Sequence, residues 1–287
     1  MNNIKYLFQF IFITILLFFF KFIGIKNASL LSGKIFTFFG PFFRSNNISN
    51  LNLSKAFPKM DSDQKNKILK NMWFNYGRIF AEYMFIKDFR FEKNFQKNIS
   101  FENYDEIKKI KNKSEPVIFV SGHFNNFELM AMEIERSGID LAAIYRPLNN
   151  KFLNPFMEKI RKKYICRKQI KKGKSGTKEL LKNFKNGTSI ALMIDQRVSE
   201  GIRCNFFNQK AFTTTIPAQF VKKFGAKIIP VYIERIENYN FKLKFYNSLE
   251  FSENDSIEKI TENLNEILEK MILKNPDQWI WTHNRWK

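Results

Sequence analysis

The chain has 287 residues, long enough to bury one sizeable core, and 44% of them are hydrophobic. Lys and Arg outnumber Asp and Glu by 48 to 27, a formal net charge of +21. Such a charge fits an anionic lipid surface, nucleic acid, or a coding bias that fills ordinary solvated faces with Lys. No RNP, KH or helix-turn-helix signature accompanies it, so nucleic acid is not expected as a partner. Cys166 and Cys204 lack CxxC spacing, and two cysteines with two histidines make a poor zinc set. Free thiols in a reducing compartment are expected, with no metal.

Residues 6–20 carry no charge, and 6–25 only Lys21. Twenty helical residues reach about 30 Å, the thickness of membrane hydrocarbon, and Lys21 near one end has the length to snorkel to the interface. No small-residue cleavage site follows, which argues against a removed signal peptide. Lys21, Lys26, Lys34 and Arg44 follow the segment while Lys5 alone precedes it. The positive-inside rule then places the bulk of the chain on the cytoplasmic side. Residues 30–43 mix aromatics with few charges and suit the headgroup region. The expected division is 1–45 as a membrane anchor and interfacial segment, and 46–287 as one catalytic domain.

Asp61 can cap a helix in which Ile68, Leu69, Met72, Trp73, Tyr76, Ile79, Phe80 and Tyr83 recur at helical spacing. A polar Lys/Asn-rich stretch runs to Pro116. Short apolar runs at 117–120, 141–145, 189–194 and 228–233 read as buried strands, and 241–245 alternates like a solvent-facing one. Between them 126–136, 152–164, 177–184 and 216–224 read as helices, and 256–273 is amphipathic. Strands alternating with helices predict an α/β fold with a central, mostly parallel sheet flanked by helices, preceded by the N-terminal membrane-anchor helix.

The chemistry concentrates where predicted strands end. Ser121-Gly122-His123-Phe124-Asn125-Asn126-Phe127-Glu128 joins the first strand to a helix. A helix beginning near Asn125 would fold Glu128 beneath the His123 imidazole, the base-and-orienter arrangement that deprotonates a hydroxyl. A structural His beside a surface Glu fits these residues equally well. The next strands run into Arg146 and into Asp195, so polar groups reach the ends of three strands, as one pocket requires. Arg146 offers a fork of donors for a phosphate or an oxyanion. Asp195 is read as holding a polar head group, as a partner of Arg146, or as a plain cap. Thr213, Thr214 and Thr215 precede a helix, either as an N-cap or as a phosphate cradle.

His123-Phe124-Asn125-Asn126-Phe127-Glu128 resembles the HxxxxD/E motif of the glycerolipid acyltransferase superfamily, and in detail the late lauroyl/myristoyl acyltransferases that complete lipid A. Tyr145-Arg146-Pro147, Met193-Ile194-Asp195-Gln196, Phe206-Phe207 with Ala211 and Thr213–215, and the run from Trp279 to Trp286 extend the resemblance over nearly the whole chain. Asn284 departs from it, standing where such proteins often carry a second Arg. The resemblance implies His123 and Glu128 as catalytic, with Arg146 and Asp195 in the active site; Asn126 and Thr214 are expected beside them around the substrate. It implies acyl transfer from acyl carrier protein, or less readily acyl-CoA, to a hydroxyl of a lipid A precursor at the inner membrane, without a cofactor. A lysophospholipid or other glycolipid O-acyltransferase, and a non-catalytic basic membrane-tethered binding protein, are the alternatives.

Overall fold

The computed structural model describes residues 2–43 and 46–287; Arg44, counted above among the flanking charges, lies outside the described residues. Helix α1 (Asn2–Phe43) is bent at Gly24, whose φ of 77° lies in the left-handed region that glycine tolerates. Its second half crosses α3 (Ser62–Glu82) after the short α2 (Asn46–Ala56). The crossing is close because Gly77 has no side chain: a Cβ there would come within 2.3 Å of the Ser32 carbonyl oxygen, and Ser32 Oγ donates to the Gly77 carbonyl at 2.6 Å. Asp61 caps α3 by accepting from the Gln64 N–H, as its position predicts.

Helices α4 (Ile86–Phe91) and α5 (Lys93–Gln96) lead into the sheet: β1 (Ile99–Glu102), α6 (Asp105–Lys113), β2 (Ile118–Ser121), α7 (Glu128–Arg136), β3 (Leu141–Tyr145), α8 (Leu153–Ile160), β4 (Lys168–Lys171), α9 (Lys174–Lys185) and β5 (Ser189–Met193). The hairpin β6 (Ile202–Phe206) and β7 (Gln209–Thr213) is followed by α10 (Ile216–Phe224), β8 (Ile228–Glu237), β9 (Asn240–Phe245) and α11 (Ile257–Lys274). Among the described residues a seven-stranded sheet runs β1-β9-β8-β2-β5-β3-β4, parallel throughout except for the β8–β9 pair. The mostly parallel α/β expectation holds. All of β2 is buried, as a central strand covered on both faces must be.

The polar stretch before Pro116 is not featureless: it holds β1 and α6. Strands β1 and β4 escape a hydrophobicity reading because they lie at the sheet's two edges, where Lys and Ser are suited to an exposed border. The β6–β7 turn places Phe207 and Asn208 at φ of 51° and 56°, without the glycine that usually advertises such a hairpin.

A buried charge cluster joins these layers. Glu82, at the end of α3, receives both Nη1 (2.7 Å) and Nη2 (2.9 Å) of Arg235 from β8. Ser29 of α1 donates to Glu82 Oε1 at 2.8 Å, and Asn126 Nδ2 to Oε2 at 3.2 Å. Burial opposes ionisation of Glu82, but Arg235 outweighs it and holds the carboxyl below its ordinary range. Glu82→Ala, which leaves Arg235 buried without its anion, is expected to cost roughly 3–5 kcal/mol of unfolding free energy in a denaturant titration, and Glu82→Leu with Arg235→Met to recover part of it. Additive losses in the double variant would show that the two charges do not depend on each other.

Candidate active site

Strands β2 and β5 pair in parallel, with Ser121 opposite Met193, and the Ile194 N–H continues the ladder by donating to the Ser121 carbonyl at 2.9 Å. The two chains leave the sheet side by side, so His123 and Asp195 emerge as neighbours although 72 positions separate them. His123 Nδ1 lies 2.8 Å from Asp195 Oδ1, and the His123 backbone N–H donates to Oδ2 at 2.7 Å. The indole Nε1 of Trp279 donates to the same Oδ2 at 2.9 Å. Asp195 is therefore fully engaged and buried, whereas the imidazole keeps about 20% of its surface open. Phe127 packs against the imidazole edge at 4.8 Å between ring centroids.

This is a correction to the expected partner of His123. Helix α7 begins at Glu128 itself, later than 126, because the loop is pinned ahead of it. Phe124 bridges to Trp279, Asn125 takes a positive φ of 38°, and Gln278 holds Asn125 through both its backbone carbonyl and its side chain. Glu128 pairs with Arg161, whose Nε (2.9 Å) and Nη2 (2.6 Å) both donate to Oε1. The predicted helix 152–164 changes winding at Arg161, where a π-helical turn (Arg161–Ile165) begins. A turn of that kind is rare and often marks a working position. No motif in the sequence singles out Arg161; its pairing with Glu128 comes from the packing of the π-helical turn against α7.

The remaining expected site residues divide. Arg146 is exposed just beyond β3, one strand past Asp195 along the same sheet edge, and is not Asp195's partner. Asn126 is buried and spends its amide on Glu82, so it supports the loop from inside. Thr214 is buried just ahead of α10, and its Oγ1 accepts from the Ile216 N–H at 3.4 Å. Thr213 accepts from Arg285 Nη2 at 2.7 Å, and Thr215 from Gln219 at 2.9 Å.

The charges around His123 act on its protonation in opposite directions. Burial works against its protonation, but Asp195 more than offsets that and Glu128 adds to it, so the imidazole pKa stands above its ordinary value. Burial also disfavours the Asp195 anion, yet the charge and hydrogen bonds of His123 lower its carboxyl to about 2. With Nδ1 committed to a permanent carboxylate, Nε2 is left to take a proton. His283 behaves oppositely: burial, with His123 and Arg285, holds it down to about 4 against the pull of Asp195. Cys166 and Cys204 are buried free thiols, raised by burial to about 12 and about 11, and neither is set up as a nucleophile.

The chain matches the family described as bacterial lipid A biosynthesis acyltransferase across residues 2–287. It is 23% identical over 251 residues to the lipid A biosynthesis palmitoleoyltransferase of Escherichia coli K12, covering 85% of this chain and 79% of that protein. A lipid A biosynthesis acyltransferase of Haemophilus influenzae is 20% identical over 238 residues, covering 80% and 72%.

If imidazole must be neutral to work, kcat/KM should rise with pH through a midpoint above 6.5, the ordinary imidazole value. Asp195→Asn removes the charge that raises His123, so the midpoint should move to lower pH while the plateau falls by on the order of 10²–10⁴-fold. A pH–rate profile whose rising limb stays in place in Asp195→Asn would separate the limb from His123.

Proposed function

Because the chain belongs to the bacterial lipid A biosynthesis acyltransferase family, and is thus an enzyme that transfers acyl groups onto lipid A, we propose that His123 is its general base and Asp195 the residue that orients and charges that base. The single observation that carries this reading is the 2.8 Å contact between His123 Nδ1 and a carboxylate whose other oxygen is already saturated by two N–H groups.

The acceptor hydroxyl, on a hydroxy-acyl chain of a lipid A precursor, gives its proton to His123 Nε2 as its oxygen attacks the thioester carbonyl of the donor. Asp195 stabilises the imidazolium formed in that step. Collapse of the tetrahedral intermediate breaks the carbon–sulfur bond, and His123 returns the proton to the departing thiolate. The oxyanion takes hydrogen bonds from backbone N–H groups ahead of α7 or from Arg146, which also suits a precursor phosphate. Glu128 adds a second negative charge near the imidazolium, which Arg161, bound to it, opposes.

Acyl carrier protein is the proposed donor carrier. Lys159, Lys162, Lys163, Lys171 and Lys172 are all exposed along α8, the π-helical turn and β4, a basic flank complementary to an acidic protein. Residues 46–287 would form the catalytic unit and 1–45 the membrane-facing segment, with the catalytic unit on the cytoplasmic face of the inner membrane.

Mass spectrometry of lipid A from cells lacking the protein, complemented in turn by wild type and His123→Ala, tests the proposal. Wild type should restore one acyl chain, and His123→Ala, expressed to the same level, should leave the precursor at least ~10²-fold enriched over product. Full restoration by His123→Ala would refute the base assignment. An unchanged lipid A with altered lysophospholipids would redirect the acceptor.

A further inference from the structure

By length and composition the apolar part of α1 is long enough to cross a membrane. Its contacts say otherwise. Tyr6, Phe10, Ile13, Leu17 and Phe20 follow one another at spacings of three and four, and each is buried or half-buried. Near the start of this stripe the Asn150 amide, just beyond β3, donates to the Tyr6 carbonyl at 2.9 Å, and Phe10 meets Phe152 with ring centroids 6.4 Å apart. Near its end Phe20 meets Phe80 of α3 at 6.3 Å. There too Lys21 pairs with the buried Asp88 of α4 and lies 4.6 Å above the Phe85 ring, in place of snorkelling freely. The helix is fastened to the catalytic unit at both ends and between them.

From Tyr6 to Lys21 the helix takes fifteen steps and rises about 22 Å. Standing this stretch across about 30 Å of hydrocarbon would drag both attachment points through it, including Asn150 with exposed Lys151 at one end and Asp88 with exposed Lys87 at the other. The opposite face of the helix is apolar and open: Phe8, Phe12, Ile15 and Phe18 are each about two-thirds exposed, and Phe22 is 90% exposed. Past the Gly24 bend, Leu30, Phe38 and Phe42 are again exposed, with Lys26 and Lys34 among them. An apolar stripe bordered by lysines fits the interface of an anionic leaflet.

We propose that the first half of α1 lies in the plane of one membrane leaflet, with the catalytic unit docked along its length, and does not cross the bilayer. This rests on the reading that the enzyme works at a membrane. It has a functional consequence: Asn150 stands at the sheet edge that also carries His123 and Asp195, so an in-plane helix brings the mouth of the site to the lipid surface, where an acceptor's acyl chains already lie.

Labelling of the full chain with a membrane-impermeant maleimide decides it. The native cysteines are buried, so Asn3→Cys and Lys113→Cys, both at exposed positions, can each be read separately. Both variants should label in inside-out vesicles, and neither in right-side-out spheroplasts. Labelling of Asn3→Cys only from the face opposite Lys113→Cys would show a spanning helix and overturn the proposal. So would a chain recovered in the soluble fraction, whether alone or as a dimer that covers the stripe. Lipid A mass spectrometry reads the reaction and not the orientation, so the function and the topology fail separately.

Discussion

The site depends on one constraint, the parallel register of β2 against β5. Hydrogen bonding fixes Ser121 opposite Met193, and two residues beyond each of these positions stand His123 and Asp195. A slip of one residue would turn every buried side chain of these central strands to the other face, so the hydrophobic core enforces the pairing. The geometry of the His123–Asp195 pair is thus inherited from core packing. The carboxylate oxygens leave no freedom either: one meets the imidazole, and the other meets the His123 backbone and the Trp279 indole.

Trp279 connects this pair to the end of the chain. The segment from Trp279 to Trp286 is not a tail but part of the packed core. Trp281 and Arg285 are fully buried, Arg285 Nη2 reaches Thr213, and Trp286 donates to the Phe206 carbonyl at 3.1 Å. Gln278 fastens the His123–Glu128 loop on one side and Arg235 on the other. Through Arg235 and Glu82 the same loop is joined to Ser29 on α1. Burying such charges is expensive unless every one is paired, and the cluster meets that condition for both oxygens of Glu82. Helix α1 and the His123–Glu128 loop consequently belong to one packed unit.

Much of this was legible in the sequence. Apolar runs between helical periods marked the parallel sheet, and a polar residue after each of three runs marked the edge that carries the His123–Asp195 pair. Neither the pairing of Asp195 with His123 nor that of Glu128 with Arg161 could be read from spacing. Both depend on which strands become neighbours, and β2 and β5 are joined across two intervening strands. The short separation between His123 and Glu128 suggested a local partnership. The Phe124–Trp279 bridge, a contact over more than 150 residues, turned the chain and ended it. Edge strands β1 and β4 were hidden by their charge. The apolar run in α1 disclosed affinity for a membrane, but orientation required the face that it buries.

A double-mutant cycle tests the central claim most directly. Acyl transfer would be measured for wild type, His123→Ala, Asp195→Ala and the pair, with folding checked by thermal melts. If Asp195 acts through His123, the double variant should be no slower than His123→Ala within about 3-fold, because residues acting as one unit are not additive. Losses that multiply in the double variant would contradict the account and leave the two residues working independently.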